Sequence, residues 1–115
     1  MRVVVFDDVL FLRQHEYSGM EVEFRFFEHA DEAVGVVAAE CPDLVLMDYA
    51  MEEHDTGEEA IEKLRKRWPR GDLTIVGISS DAYSNERMMA AGADEAVPKS
   101  HIRGYLRGVM RKRAG

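Results

Sequence analysis

Cysteine occurs once in these 115 residues, at Cys41, so the chain can build neither an internal disulfide nor a cysteine zinc cluster. No apolar run approaches the ~20 residues that a membrane-spanning helix needs. Proline occurs three times and glycine nine times, which excludes collagen-like and Pro/Gly-rich disordered chains. The start, Met1-Arg2-Val3-Val4-Val5-Phe6-Asp7-Asp8, turns acidic too soon for a secretory signal. These absences lead us to expect a cytoplasmic protein without membrane contact. Roughly 100–200 residues make one domain, so a single domain over 1–115 is expected. Acidic residues are themselves missing from one end: all 22 lie at or before Glu95, whereas Lys99, Arg103, Arg107, Arg111, Lys112 and Arg113 follow it. Such cations suit the end of a last helix, with a docking face for an acidic partner as the sharper reading. A net charge of −7 opposes binding to phosphate backbones, so direct nucleic-acid binding is not expected.

What is present is alternation. Short apolar runs at Val3–Phe6, Met20–Phe27, Leu44–Met47, Leu73–Ile78 and Ala96–Val97 read as strands. Helical periods separate them: a short one within Val9–Tyr17, then Ala30–Glu40, Thr56–Trp68, Ser84–Ala91 and Ile102–Arg113. Five strand–helix units imply an α/β fold with a parallel sheet and right-handed crossovers, helices lying on both faces. The second strand alternates Met20, Val22, Phe24 and Phe26 with Glu21, Glu23 and Arg25, as a half-exposed edge strand does, while the first and third read as buried. That selects the flavodoxin-like order 2-1-3-4-5. A dinucleotide fold would need a glycine fingerprint after its first strand, where Asp7-Asp8-Val9-Leu10 stands instead.

Ligands of open parallel sheets bind beyond the carboxyl ends of the strands. Asp7 and Asp8, Asp48, Ser79 and Lys99 follow the first, third, fourth and fifth strands, and the order 2-1-3-4-5 brings them together. Three crowded carboxylates repel one another. A divalent cation relieves this, and oxygen-only ligands suit Mg²⁺ or Mn²⁺ rather than zinc. Lys99 adds a fixed positive charge and Ser79 a hydroxyl donor. A carboxylate nucleophile, a metal, a cation and a hydroxyl describe a phosphoryl acceptor, with Asp48 as the attacking group. Taken singly, the same residues have plainer roles, among them Asp8 as a helix N-cap.

The segments Val3-Val4-Val5-Phe6-Asp7-Asp8, Leu44-Val45-Leu46-Met47-Asp48-Tyr49-Ala50-Met51, Ile75-Val76-Gly77-Ile78-Ser79 and Ala91-Gly92-Ala93-Asp94 leading to Lys99 carry a resemblance. Over nearly its whole length the chain resembles the receiver domain of two-component response regulators, and in particular the stand-alone, chemotaxis-type receivers. The resemblance implies phosphorylation of Asp48 by a histidine kinase or phosphotransfer protein. It implies Mg²⁺ held by Asp8, Asp48 and the Ala50 carbonyl, Asp7 acting mainly through water, and Ser79 and Lys99 binding the phosphoryl group. Such a protein is a signalling switch rather than an enzyme acting on a metabolite. Its downstream partner is expected at Ser80–Met89 and the last helix. The alternatives are a phosphorylation-independent protein-binding module and a Mg²⁺-dependent phosphatase. The latter class usually has a second acid two residues past its nucleophile, where this chain has Ala50.

Four departures from the family pattern stand out. The first helix and the fourth are short. Pro98 precedes Lys99 and Ser100 follows it, so the family's Lys-Pro bond is missing; Glu52 replaces a proline; and Ala96 stands where an aromatic switch residue is common. Outside the constellation, His15, His29, His54 and His101 show no metal-ligand spacing and read as surface or packing residues. Cys41 falls on the apolar stripe of the second helix and reads as core, as do Met88-Met89 and Trp68.

Overall fold

The computed structural model describes all 115 residues. Its centre is a parallel sheet of β1 (Arg2–Phe6), β2 (Glu23–Phe27), β3 (Leu44–Met47), β4 (Ile75–Ile78) and β5 (Glu95–Val97), in the order β2-β1-β3-β4-β5. The helices are α1 (Asp8–Leu12), α2 (Ala33–Glu40), α3 (Gly57–Arg67), α4 (Ala82–Ala91) and α5 (Ile102–Ala114). The fold is the expected doubly wound α/β arrangement. No helix is long and apolar enough to cross a membrane.

Strand periodicity divides the core. Val4, Phe6, Val45, Met47 and Ile75 project toward α2, α3 and α4, where Ala33, Val37, Ala60, Ile61, Leu64 and Met88 meet them. Val3, Val5, Leu44, Leu46, Val76 and Ile78 project to the other face, against Leu10 of α1, Tyr17, and Ile102 and Leu106 of α5. Central strands are buried on both sides, as continuous apolar runs require. β2 alternates exposed and half-buried positions at the edge, with Phe24 and Phe26 packed on the α1/α5 side and Phe27 on the other.

Several elements depart from the sequence reading. The first helical segment splits into α1 and a 3₁₀ turn, Gln14–Tyr17. β2 begins at Glu23 rather than Met20, and β4 at Ile75 rather than Leu73. Thr56 caps α3 with a complete capping box to Glu59, which closes two free backbone donors. Asp81 caps α4 through Ser84 N–H, so that helix starts two residues earlier than its apolar pattern suggests. Cys41 is exposed and not core: α2 ends at Glu40, and Cys41 turns into the left-handed region (φ 48°) as its cap. The apolar stripe therefore ran one residue past the helix itself.

Candidate acidic phosphoryl-acceptor site

Pairing of the strands places the acidic residues side by side. Phe6 is in register with Met47, and Asp48 N–H donates to the Phe6 carbonyl at 2.9 Å. Asp7 and Asp48 therefore leave adjacent strand ends together. Asp7 is fully buried and Asp48 is 5% exposed, while Asp8 opens α1 half-buried. Donor oxygens of Asp7, Asp8 and Asp48 all lie within 4.8 Å of one another.

The N-cap of α1 is Asp7, not Asp8: Asp7 Oδ1 accepts from Val9 N–H and Leu10 N–H, both at 2.9 Å. That occupies one oxygen and aims the other inward. Lys99 Nζ stands 2.9 Å from Asp7 Oδ2 and 3.3 Å from Asp48 Oδ2. The first contact is ionic and poorly directed, because no hydrogen bond of good geometry reaches Asp7 Oδ2. Asp48 Oδ1 accepts from Tyr49 N–H at 2.9 Å.

One ammonium thus faces the Asp7 and Asp48 carboxyls, with that of Asp8 beside them. Burial, followed by the charge of Asp7, pushes the Asp48 carboxyl up to about 6, against the opposing pull of Lys99. Burial alone would lower the Lys99 ammonium, but its close ionic contacts with Asp7 and Asp48 outweigh that and hold it above its ordinary value. The chemistry of the donor set fits a hard divalent cation. It is all oxygen, it has excess negative charge, and it includes a buried oxygen without a directed donor.

Ser79 is buried at the end of β4, where its hydroxyl accepts from Asp81 N–H at 3.1 Å and its carbonyl from Asn85 Nδ2 at 2.9 Å. It is thus bonded into the α4 N-terminus rather than to the acids. Ala50 lies in the exposed loop after β3. Ala96, on β5, is partly buried.

Comparison with known proteins identifies the family. The family model described as the response regulator receiver domain matches residues 6–110. This chain belongs to the response regulator receiver family. A two-component response regulator of Oryza sativa subsp. japonica, ORR42, is 42% identical over 80 residues, 69% of this chain and 59% of that protein; the match thus spans under two thirds of that relative. Among solved structures, the response regulator TrrA of Thermotoga maritima in complex with Mg²⁺-BeF is 25% identical, covers 96% of each chain and superposes with a TM-score of 0.76. A CheY-like receiver domain protein of Methanospirillum hungatei is 21% identical, covers 96% of this chain and 91% of that one, and has a TM-score of 0.75. The receiver is therefore a signalling module of two-component systems, a family that binds Mg²⁺ at an acidic pocket.

Two features escaped the sequence reading. Arg65 of α3 reaches the Gly92 and Leu73 carbonyls, each at 2.8 Å, and Asp94 Oδ2, also at 2.8 Å, tying α3 to both flanks of the β4–β5 region. His29 and His54, which lack ligand spacing along the chain, are brought together on Asp31. Nothing local marks either; His29-Ala30-Asp31 and His54-Asp55 are ordinary loop sequences.

Proposed function

We propose that the receiver accepts a phosphoryl group on Asp48 from a histidine kinase or histidine phosphotransfer protein. The observation that carries this reading is the Lys99 ammonium lying between Asp7 and Asp48 at adjacent strand ends. In the transfer, an Asp48 carboxylate oxygen bonds to phosphorus as the donor's phosphorus–nitrogen bond breaks, and the departing imidazole takes a proton. Lys99 neutralises phosphoryl oxygens and Ser79 donates its hydroxyl to one of them. Positioning and charge do most of this work. Asp8, Asp48 and the Ala50 carbonyl would hold Mg²⁺ (Mn²⁺ has the same oxygen preference), with Asp7 contributing mainly through water; Oδ2 is its only oxygen not already engaged by backbone donors. When bound, the ion offsets the crowded negative charge so that an anionic donor can approach.

The chain acts as one unit over 1–115, a switch whose only reactions are acceptance and slow hydrolysis of its own phosphoryl group. The downstream partner is a protein, met by Ser80–Met89 together with α5. Arg103 of α5 is stacked over Tyr17 at 4.5 Å and bonded to the Glu16 carbonyl, and Arg113 is paired with Asp43 at 3.5 Å, so Arg107, Arg111 and Lys112 are the cations left for that partner.

Intact-mass measurement after incubation with acetyl phosphate tests the reading. One phosphoryl mass is expected with Mg²⁺, and none with a chelator or in Asp48→Asn. Undiminished labelling of Asp48→Asn would refute the assignment, and no labelling of the unaltered chain would favour a phosphorylation-independent binding module.

A further inference from the structure

The fold builds a second donor cluster away from the acidic pocket. His29 and Asp31 lie between β2 and α2, and His54 lies between β3 and α3. One ligand atom from each lies within 4.8 Å of the others. The imidazole rings stack with centroids 3.9 Å apart and planes 12° apart. Both Nδ1 atoms face the same oxygen, Asp31 Oδ2 standing 2.7 Å from His54 and 3.8 Å from His29, so the two rings present the same edge. Two ligands on a tetrahedral ion with bonds of ~2.0–2.1 Å stand about 3.3 Å apart, and the observed separations bracket that spacing.

Hydrogen bonding shows what each donor gives up to an ion. Asp31 N–H donates to His29 Nδ1 at 3.3 Å, so that nitrogen carries no proton, and its lone pair must exchange this long bond for the ion. The Asp31 carboxylate only accepts, which makes His54 Nδ1 the donor in their 2.7 Å bond. Asp31 Oδ1 accepts from Asp55 N–H at 2.9 Å, and Asp55 is paired in turn with Lys63. The carboxylate is thereby oriented by outer partners, as ligands of metal sites are. Those bonds, the Asp55 N–H foremost and then His54, hold Asp31 below the usual carboxylate range.

We propose that His29 Nδ1, His54 Nδ1 and Asp31 Oδ2 form a second cation site that takes a borderline d-block ion such as Zn²⁺. Two imidazoles with one carboxylate suit zinc and its neighbours, whereas the oxygen-only pocket at Asp48 suits Mg²⁺, so the two sites select different ions. Binding moves the His54 proton from Nδ1 to Nε2 by exchange with solvent, so the ring stays neutral and Nδ1 offers its lone pair. Three protein donors leave a fourth position for water or a partner's ligand. The ion would clamp the loop that follows Asp48 to the loop that follows β2. The site stands on its own geometry and does not depend on phosphorylation of Asp48.

Calorimetric titration of the full chain with ZnCl₂, in excess MgCl₂ to fill the acidic pocket, is the test. One zinc per chain is expected. His29→Ala and His54→Ala should each weaken binding at least about tenfold, the effect that losing even an outer partner has on a metal site. Cys41→Ser and His101→Ala should leave it unaltered. A measurement that needs no variant is electron paramagnetic resonance of the Cu²⁺-loaded chain, which should show coupling to two imidazole nitrogens. Unchanged zinc affinity in both histidine variants, or a copper spectrum without that coupling, overturns the proposal.

Discussion

Asp48 ionises at a cost to the fold. Its carboxyl is moved from the ordinary 3.8 to about 6 by burial and by Asp7. At 1.36 kcal/mol per pH unit, this costs the ionised fold about 2–3 kcal/mol. The sign follows from linkage: a raised acid is fully tolerated below its unfolded value and becomes destabilising as pH rises through its folded value. Asp48→Asn should therefore stabilise the metal-free receiver by about 1–3 kcal/mol at pH 7.5, and the gain should fade to nothing by about pH 4. Lys99→Ala should act in the opposite direction, because it leaves Asp7 Oδ2 buried without its cation. Urea unfolding of the three proteins across pH checks both, and a gain independent of pH in Asp48→Asn would contradict the argument. That Asp7, Asp48 and Lys99 meet was legible because each stands at or just past the end of a short apolar run that reads as a strand, and parallel strands deliver their carboxyl ends to one edge. His29 and His54 were not legible, because their meeting depends on how two separate loops leave the sheet. Cys41 misled because helical period alone does not say where a helix stops.

Element packing explains why α4 sits where it does. Met88 is fully buried and fills a notch left by two glycines. The nearest atoms to a Cβ on Gly77 of β4 would be those of the Met88 side chain, at 3.0–3.3 Å, whereas a Cβ on Gly57, the first residue of α3, would lie 2.2 Å from the Asp48 carbonyl oxygen and 2.8 Å from Met88 Sδ. A methionine can shift; the Asp48 backbone carbonyl cannot. Gly57→Ala should then cost about 1–3 kcal/mol or more and lower phosphoryl acceptance, while Gly77→Ala costs under about 1.5 kcal/mol. Denaturation midpoints and acetyl phosphate labelling of the two variants decide this; equal costs would show that Met88, and not the Asp48 backbone, sets the constraint. The strand order and the two-faced core could be read from periodicity, since burial on one face or both leaves different patterns. The early start of α4 depends on the Asp81 cap, whose Asp81-Ala82-Tyr83-Ser84 sequence is too polar to carry a stripe. The division of the first helix likewise follows from a tertiary demand, the burial of Tyr17 against Phe24 and Phe26.

For the whole molecule the question is how an event at Asp48 reaches the surface. A ligand shifts a conformational equilibrium only through unequal contacts with two states, and Ala96 has no rotamer with which to respond. Ser79 is bonded directly to the start of α4. Its hydroxyl accepts from Asp81 N–H and its carbonyl from Asn85, while Asp81 in turn caps α4 through Ser84. Turning that hydroxyl toward a phosphoryl oxygen disturbs the cap at its root. At the other end of α4, Met88 is held in its notch and Gly92 takes the left-handed turn at φ 125°. The expected change is therefore graded, largest at Ser80–Asn85 and fading toward Met88–Met89, with exposed Tyr83 carried on the moving part. Hydrogen exchange with and without beryllofluoride and Mg²⁺ should show altered protection at Asp81 through Asn85 and little change from Met88 onward. Ser79→Ala should bind beryllofluoride yet lose most of that response, because the hydroxyl bonded to Asp81 N–H is gone. Protection changes confined to α1, with Ser80–Asn85 unaffected, would show that the signal leaves by the opposite face, through the short first helix that Asp7 caps.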